Sequence, residues 1–506
     1  MLLSRRTLLQ SIGIISTACA LPTVGSSLLK AKKSKAVNYK FLFNQALAKN
    51  PALIGFGNIE ENFSLKKMEL EGVLPQDLTG SLIRNGPAKM EREDVRYHHM
   101  FEGDGMIQQF RFGNGQITHH GRFVNTKKYA QEEKAQKFLF SGPDTHIENS
   151  LAVTTKNTVN TANTNVIPVG DDLWALWEAG SPTRIDEKTL DNKGIVNLGD
   201  NSKYGTSLKG LPFSAHPKVD TNGDIFNFGL HASGQVVVYH LSSTGNMKNV
   251  ALIDAKYRGG MLHDFLITHR HILLVLPSLT VNTLKQGYFE QMEFNSEQPM
   301  VVLMVDKNTL KVTKRYELPP GFVFHFGNAW EENDGTIHFD ASLYENADVI
   351  NELSRIMVGD SHHPKESSTT LVTLKPNGTT HLHTFSGNSE FPRIAPHLTG
   401  LRNDYLYSLS RNPGGLWRDR VNRLNVNTGK QDTYHYGSEF LVEEHLPVCP
   451  QGKEKQGYLV GTALHVPTKR TCINVFDVTN LSAGPISRGW LPYHLPLGFH
   501  GNFKPT

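Results

Sequence analysis

The chain reads as an all-β protein of propeller type, and three observations predict it. Short apolar runs of strand length recur between turn signals, as at residues 173–180, 224–231, 235–241 and 271–277. Turn dipeptides punctuate them at Asn222-Gly223, Asp334-Gly335 and Asn377-Gly378, the strongest short hairpin signal. A degenerate phrase also recurs: IDEKTL at 185–190, VDKNTL at 305–310 and LNVNTG at 424–429. Each reads as a strand, a tight turn ending near Thr and a return strand, the pattern of a propeller-blade hairpin. No βαβ rhythm and no long amphipathic helical series competes with this reading.

In chain order, residues 1–26 read as an export signal and cleavage region. Arg5 and Arg6 precede an apolar stretch from Leu8 to about Ala18, and Ala18-Cys19-Ala20 is a cleavage candidate. The phrase from Ser4 to Gln10 resembles a twin-arginine export signal, so the mature protein is expected to be periplasmic or otherwise exported. Residues 27–60 form a basic and apolar N-terminal segment, with Lys30, Lys32, Lys33, Lys35 and Lys40 ahead of FLFNQALA at 41–48. Such a segment either rests on an anionic membrane surface or leads into a cap on the fold. Residues 61–506 read as one β domain, with an apolar insertion at 276–294 between strands. No run of 18 or more apolar residues follows the leader, so no membrane-spanning helix is expected.

Composition narrows the class. The 506 residues are 38% hydrophobic and 20% charged, ordinary for a globular chain. Net charge is +4, and about +2 once Arg5 and Arg6 leave with the leader, which is no footprint for nucleic acid. Of three cysteines, Cys449 and Cys472 lie outside the leader and either pair or stay free.

Four of the 23 histidines stand in distinctive apolar or glycine-flanked phrases: His216 in FSAHPKVD, His263 in GGMLHDFLIT, His325 in FHFGNAWEE and His500 in LGFHGNF. Their separations of 47, 62 and 175 residues exclude a local metal motif. Only a fold that returns repeatedly to one point gathers them. Imidazole suits Fe, Zn, Cu and Ni, and a set without thiolate points away from closed structural zinc sites.

With the entry phrases at 72–87 and 97–112, these histidine phrases resemble the carotenoid cleavage oxygenase family, the non-haem iron dioxygenases that include lignostilbene-cleaving enzymes. The resemblance covers nearly all of the chain after its first few dozen residues. It implies a seven-bladed β-propeller whose loops form a dome over a metal site on the central axis. Seven blades over about 460 residues is about 65 each, near the two shorter histidine gaps. It further implies that His216, His263, His325 and His500 hold one Fe(2+) per chain. Glu178, Glu390 and Glu444 would then accept from the outer ring N–H groups, with Glu443 as the alternative to Glu444. Such carboxylates fix tautomer and orientation and restore charge balance around a dication held by neutral ligands. Four protein ligands on an octahedral ion leave two positions for oxygen and substrate.

The activity so implied is cleavage of a conjugated C=C bond of a carotenoid or apocarotenoid by O₂ to aldehyde or ketone products. A hydroxystilbene substrate is the alternative, for which Tyr97 and Lys128 are candidate contacts to the phenol. A non-catalytic exported propeller that binds a ligand is the third reading, since fold alone does not confer chemistry. The expected partners are a lipophilic small molecule and O₂, with peripheral membrane contact and no nucleic acid or obligate protein partner.

Overall fold

A computed structural model describes residues 37–200, 202–360 and 366–506; the leader and the lysines up to Lys35 lie outside them. Seven antiparallel sheets of four or five strands are arranged as blades, and two short hairpins sit between strands. The propeller expectation therefore holds. The first strands of the fourth to seventh blades touch one another in sequence, and the closing strand His500–Pro505 touches those of the seventh and second.

The apolar runs of the sequence follow from having a neighbour on both faces. His271–Leu276 in the fourth blade is buried along nearly its whole length. Ile272, Leu274 and Leu276 pack against Phe226, Phe228 and Val238 of the third blade. Leu273 and Val275 face Val323, Phe339 and Ala341 of the fifth. Period-two alternation thus feeds two separate cores, so the strand reads as continuously apolar. Each such side chain contributes about 2 kcal/mol of burial.

The recurring turn phrases connect the third and fourth strands of the second, fourth and sixth blades. Asp186 Oδ1 accepts from the backbone N–H groups of Lys188 and Thr189. Asp306 repeats this with Asn308 and Thr309, and Asn425 with Asn427 and Thr428. The side chain closes the turn by capping the backbone two and three residues on. Gly223, Gly335 and Gly378 of the three turn dipeptides all have positive φ.

The ring closes at two places. His500–Pro505 is the innermost strand of the first blade and pairs with Gly80–Lys89. Glu69–Gly72 completes the last blade by pairing with Ser487–Trp490. Helix α1 (Tyr39–Lys49) and the 3-10 turn Pro51–Phe56 bury Phe43, Leu53 and Phe56 against the propeller. Arg96 lies over the Phe43 ring and donates to the Phe56 carbonyl. From Tyr39 to Phe56 the N-terminal segment is thus part of the main body rather than a separate unit. Its outer face leaves Phe41 58% exposed.

The insertion at 276–294 forms a two-stranded hairpin, Leu279–Val281 with Met292–Phe294. It packs on helix α3 (Asp348–Arg355) through Leu279, Phe289, Met292, Val349 and Ile350. Its tip carries Leu284, 92% exposed. Helix α2 (Lys127–Ala135) buries Lys128 and Glu132. No helix among the described residues is long and apolar enough to cross a membrane. Cys449 and Cys472 are both free thiols.

Candidate metal centre and its cavity

The inner strands deliver the site. His216 and His263 stand just before the first strands of the third and fourth blades, and His325 lies within the first strand of the fifth. His500 opens the strand that closes the ring. The first strands that carry His325, Glu390 and Glu444 each have an extra residue at that point. Their pairings slip between Val323 and Phe326, between Glu390 and Arg393, and between Val442 and His445. A bulge re-aims a side chain that regular alternation would turn into an inter-blade core.

All four histidines are buried, and one ring nitrogen from each lies within 4.8 Å of the others. His216 Nε2 and His263 Nε2 are 3.0 Å apart. Metal–nitrogen bonds of about 2.1 Å set adjacent ligands of one ion about 3 Å apart. Burial, then the neighbouring imidazoles, pushes His216 well below the ordinary histidine range, and burial pushes His500 down to about 4. Their neutral rings have lone pairs to give.

The outer nitrogens are held from behind. His325 Nδ1 lies 2.6 Å from Glu390, and His500 Nδ1 lies 3.0 Å from Glu444. Glu178 contacts His263 Nδ1. With Nδ1–H donated to carboxylates, His325 Nε2 is buried with no protein partner, while Nε2 of His216 and of His263 face only each other. Ring nitrogens so placed, at ligand spacing, fit a metal ion that takes imidazole. His216 has no carboxylate partner among the described residues.

Glu390 also accepts from Tyr344 OH at 2.9 Å and from its neighbour's N–H, Phe391 N, at 2.7 Å. Burial opposes charge on Glu390, yet His325 holds its carboxyl below the usual range. Glu443 faces elsewhere: it meets Arg84 Nη1 at 2.8 Å and accepts from Gly498 N and Thr462 Oγ1. The bulge sends these adjacent carboxylates to different partners.

A pocket partly open to solvent, with about 660 Å³ of empty space, opens on His263, His325 and His500. Its wall is mainly aromatic and aliphatic, including Phe101, Phe324, Phe391, Phe499, Trp417, Tyr344 and Leu353. Phe391 stacks on the His325 ring with centroids 5.2 Å apart. Arg411, Arg418 and Glu352 are its charged members besides Glu390. Glu366 lies 2.6 Å from Arg418, and Glu352 lies 2.9 Å from Arg411.

Tyr97 and Lys128, the candidate contacts to a phenol, lie together and are not among the residues lining the cavity, although Tyr97 shares a core with Phe101, Trp417 and Phe499 of its wall. Lys128 Nζ reaches Tyr97 OH at 2.6 Å, Asp104 at 2.7 Å and Glu132 at 2.9 Å. An ammonium has three N–H donors, so this set uses them all. Both residues are buried, with Tyr97 packed on Phe138. Conversely, sequence reasoning missed the cavity wall. Phe324, Phe391 and Phe499 each adjoin a predicted ligand or carboxylate, which was an available signal. Thr164, Tyr344, Arg411 and Arg418 had none.

Comparison with known proteins agrees with this architecture. The chain is 26% identical over 466 residues to apocarotenoid-15,15'-oxygenase of Synechocystis sp., covering 87% of this chain and 93% of that protein. It is 28% identical over 468 residues to lignostilbene-alpha,beta-dioxygenase isozyme III of Sphingomonas paucimobilis, covering 86% and 93%. The crystal structure of cobalt-substituted Synechocystis apocarotenoid oxygenase superposes with a TM-score of 0.80 at 25% identity, over 90% of this chain and 99% of that one. The family model for RPE65, retinal pigment epithelial membrane protein, matches residues 56–505, and with it the chain belongs to the RPE65 or carotenoid cleavage oxygenase family.

Proposed function

We propose that this protein is an iron(II)-dependent dioxygenase that cleaves a conjugated C=C bond of a carotenoid or apocarotenoid, taking up one O₂ to give two carbonyl products. The observation that carries the reading is the apolar cavity ending on three inward-facing histidines. His216, His263, His325 and His500 would hold the metal, with Glu178, Glu390 and Glu444 orienting three of the four rings. The chemistry that iron(II) supplies when bound is activation of O₂ toward an alkene. The chain's own part is placement. Phe101, Phe324, Phe391 and Phe499 flank the polyene and keep water from it, while the carboxylates keep the ring nitrogens fixed.

A polyene is favoured over a hydroxystilbene because the wall is aromatic and aliphatic, and because Lys128 is spent on Tyr97, Asp104 and Glu132. Exported location follows only from the leader-like residues 1–26. Peripheral membrane contact is supported by the exposed apolar side chains of Phe41 and Leu284.

The test is product analysis. The Fe(II)-loaded protein is incubated in air with an apocarotenal series and, in parallel, a hydroxystilbene series. Shortened carotenoid aldehydes are expected. Aromatic aldehydes from the stilbenes would replace the substrate class. No cleavage of either, with iron bound, would leave a binding propeller. His263→Ala should lose iron while keeping its far-ultraviolet circular dichroism; an iron-replete, active variant would remove His263 from the ligand set.

A further inference from the structure

One four-residue strand reaches two of the four histidines. In Glu390–Arg393, Glu390 accepts from His325, while Arg393 Nε donates to Glu444 Oε1 at 2.8 Å. Glu444 in turn accepts from His500 Nδ1 and from the backbone N–H of Gly501 at 3.0 Å. Arg393 Nη2 also donates to the Gly501 carbonyl at 3.1 Å. Residues three apart on a regular strand face opposite sides. Here the extra residue between Glu390 and Arg393 brings both round to the axis. Phe391, within that bulge, takes φ +54, an uncommon value for a bulky residue. Pro392 is tolerated because this strand is the free edge of its sheet.

We infer that Arg393 is a positioning residue for the metal centre, acting through Glu444 on His500. The inference rests on the reading of the four histidines as a metal site. Two arguments carry it. Arg393 fixes the Glu444 carboxylate in the orientation that receives His500 Nδ1–H. It also balances charge: a dication among three carboxylates leaves one negative charge over, and Arg393 supplies the matching positive one. Two of the three carboxylates have a further side-chain partner, Tyr344 for Glu390 and Arg393 for Glu444. Among the described residues Glu444 is the one of the three carboxylates with a cation ion-paired to it; Arg418 acts on Glu390 only through space.

The test uses the full chain loaded with Co(II) or Fe(II). Arg393→Met, Arg393→Lys and Glu444→Gln are compared with wild type for metal loss to a chelator and for the Co(II) d–d spectrum. Removing an outer-shell partner of a ligand typically weakens metal affinity 10- to 100-fold. R393M should therefore release metal about 10-fold faster with an altered Co(II) spectrum, and R393K should recover most of the retention. Metal-free R393M should melt somewhat lower than wild type, because buried Glu444 loses its cation, and R393K should restore most of that loss as well. A lower metal-free melting point with unchanged metal retention assigns Arg393 to the scaffold and overturns the inference. If wild type retains no metal at all, the four-histidine reading falls, and this inference with it. If wild type and E444Q differ in retention while R393M matches wild type, only the role of Arg393 falls.

Discussion

At the scale of single residues, the partners of the two ring nitrogens decide which buried histidines are ready to bind and which merely pack. His119 belongs to the second kind: Nε2 meets Gln108 at 2.8 Å and Nδ1 meets Tyr493 OH at 2.9 Å. Burial pushes its imidazole down to about 3, against about 6.5 in an unfolded chain. The folded protein therefore binds fewer protons than the unfolded chain between these values. The stability tied to neutral His119 is complete above pH 6.5 and is lost as pH falls toward 3. At pH 5 the loss is about 2 kcal/mol. His119→Gln removes that loss, so the gap between wild type and variant should narrow by about 2 kcal/mol from pH 7 to pH 5 in urea unfolding. A constant gap would mean that the folded state accepts the proton. In the sequence His119 and His216 look alike, since each is one imidazole among 23. Only the phrase around His216, matched to a family, separated them.

At the scale of elements, the legible parts were those whose hydrogen bonds are local. The Asp-x-x-Thr and Asn-x-x-Thr turns close on their own backbone, so three hairpins could be placed from spelling alone. Asp306→Ala deletes the acceptor for Asn308 N–H, Thr309 N–H and Thr309 Oγ–H. In this exposed turn the cost should be about 1 kcal/mol, read as a lower urea midpoint without change in metal content. A loss of metal would show that the turn reaches the axis. The bulges were not legible, because an extra residue exists only relative to the partner strand. That is why Glu443 and Glu444 stood as alternatives in the sequence: adjacent residues on a strand exchange faces with a one-residue slip. The pairing slip between Val442 and His445 turns Glu444 to His500 and Glu443 to Arg84. The same blindness hid Arg393, which meets its partner 51 residues away.

At the scale of the whole molecule, the metal site and the closure of the ring share one strand. His500–Pro505 pairs with Gly80–Lys89 and presents His500 to the axis. Deleting residues 500–506 should abolish the cooperative thermal transition, because it opens the ring as well as the site. His500→Ala should keep that transition and lose only metal-dependent stabilisation. Circular dichroism melts with and without Fe(II) separate the two, and equal behaviour of the two variants would deny the strand its closing role. The sequence by itself determined the all-β class, the hairpin turns and, through family phrases, the four histidines, because local hydrogen bonding and short motifs are written in consecutive residues. Tertiary structure alone decided which carboxylate meets which imidazole, that Tyr97 and Lys128 satisfy each other and two acids instead of lining the cavity, and which phenylalanines form its wall. Those outcomes depend on strand register and on contacts between distant blades, where a shift of one residue reverses a side chain's direction and no local spelling records it.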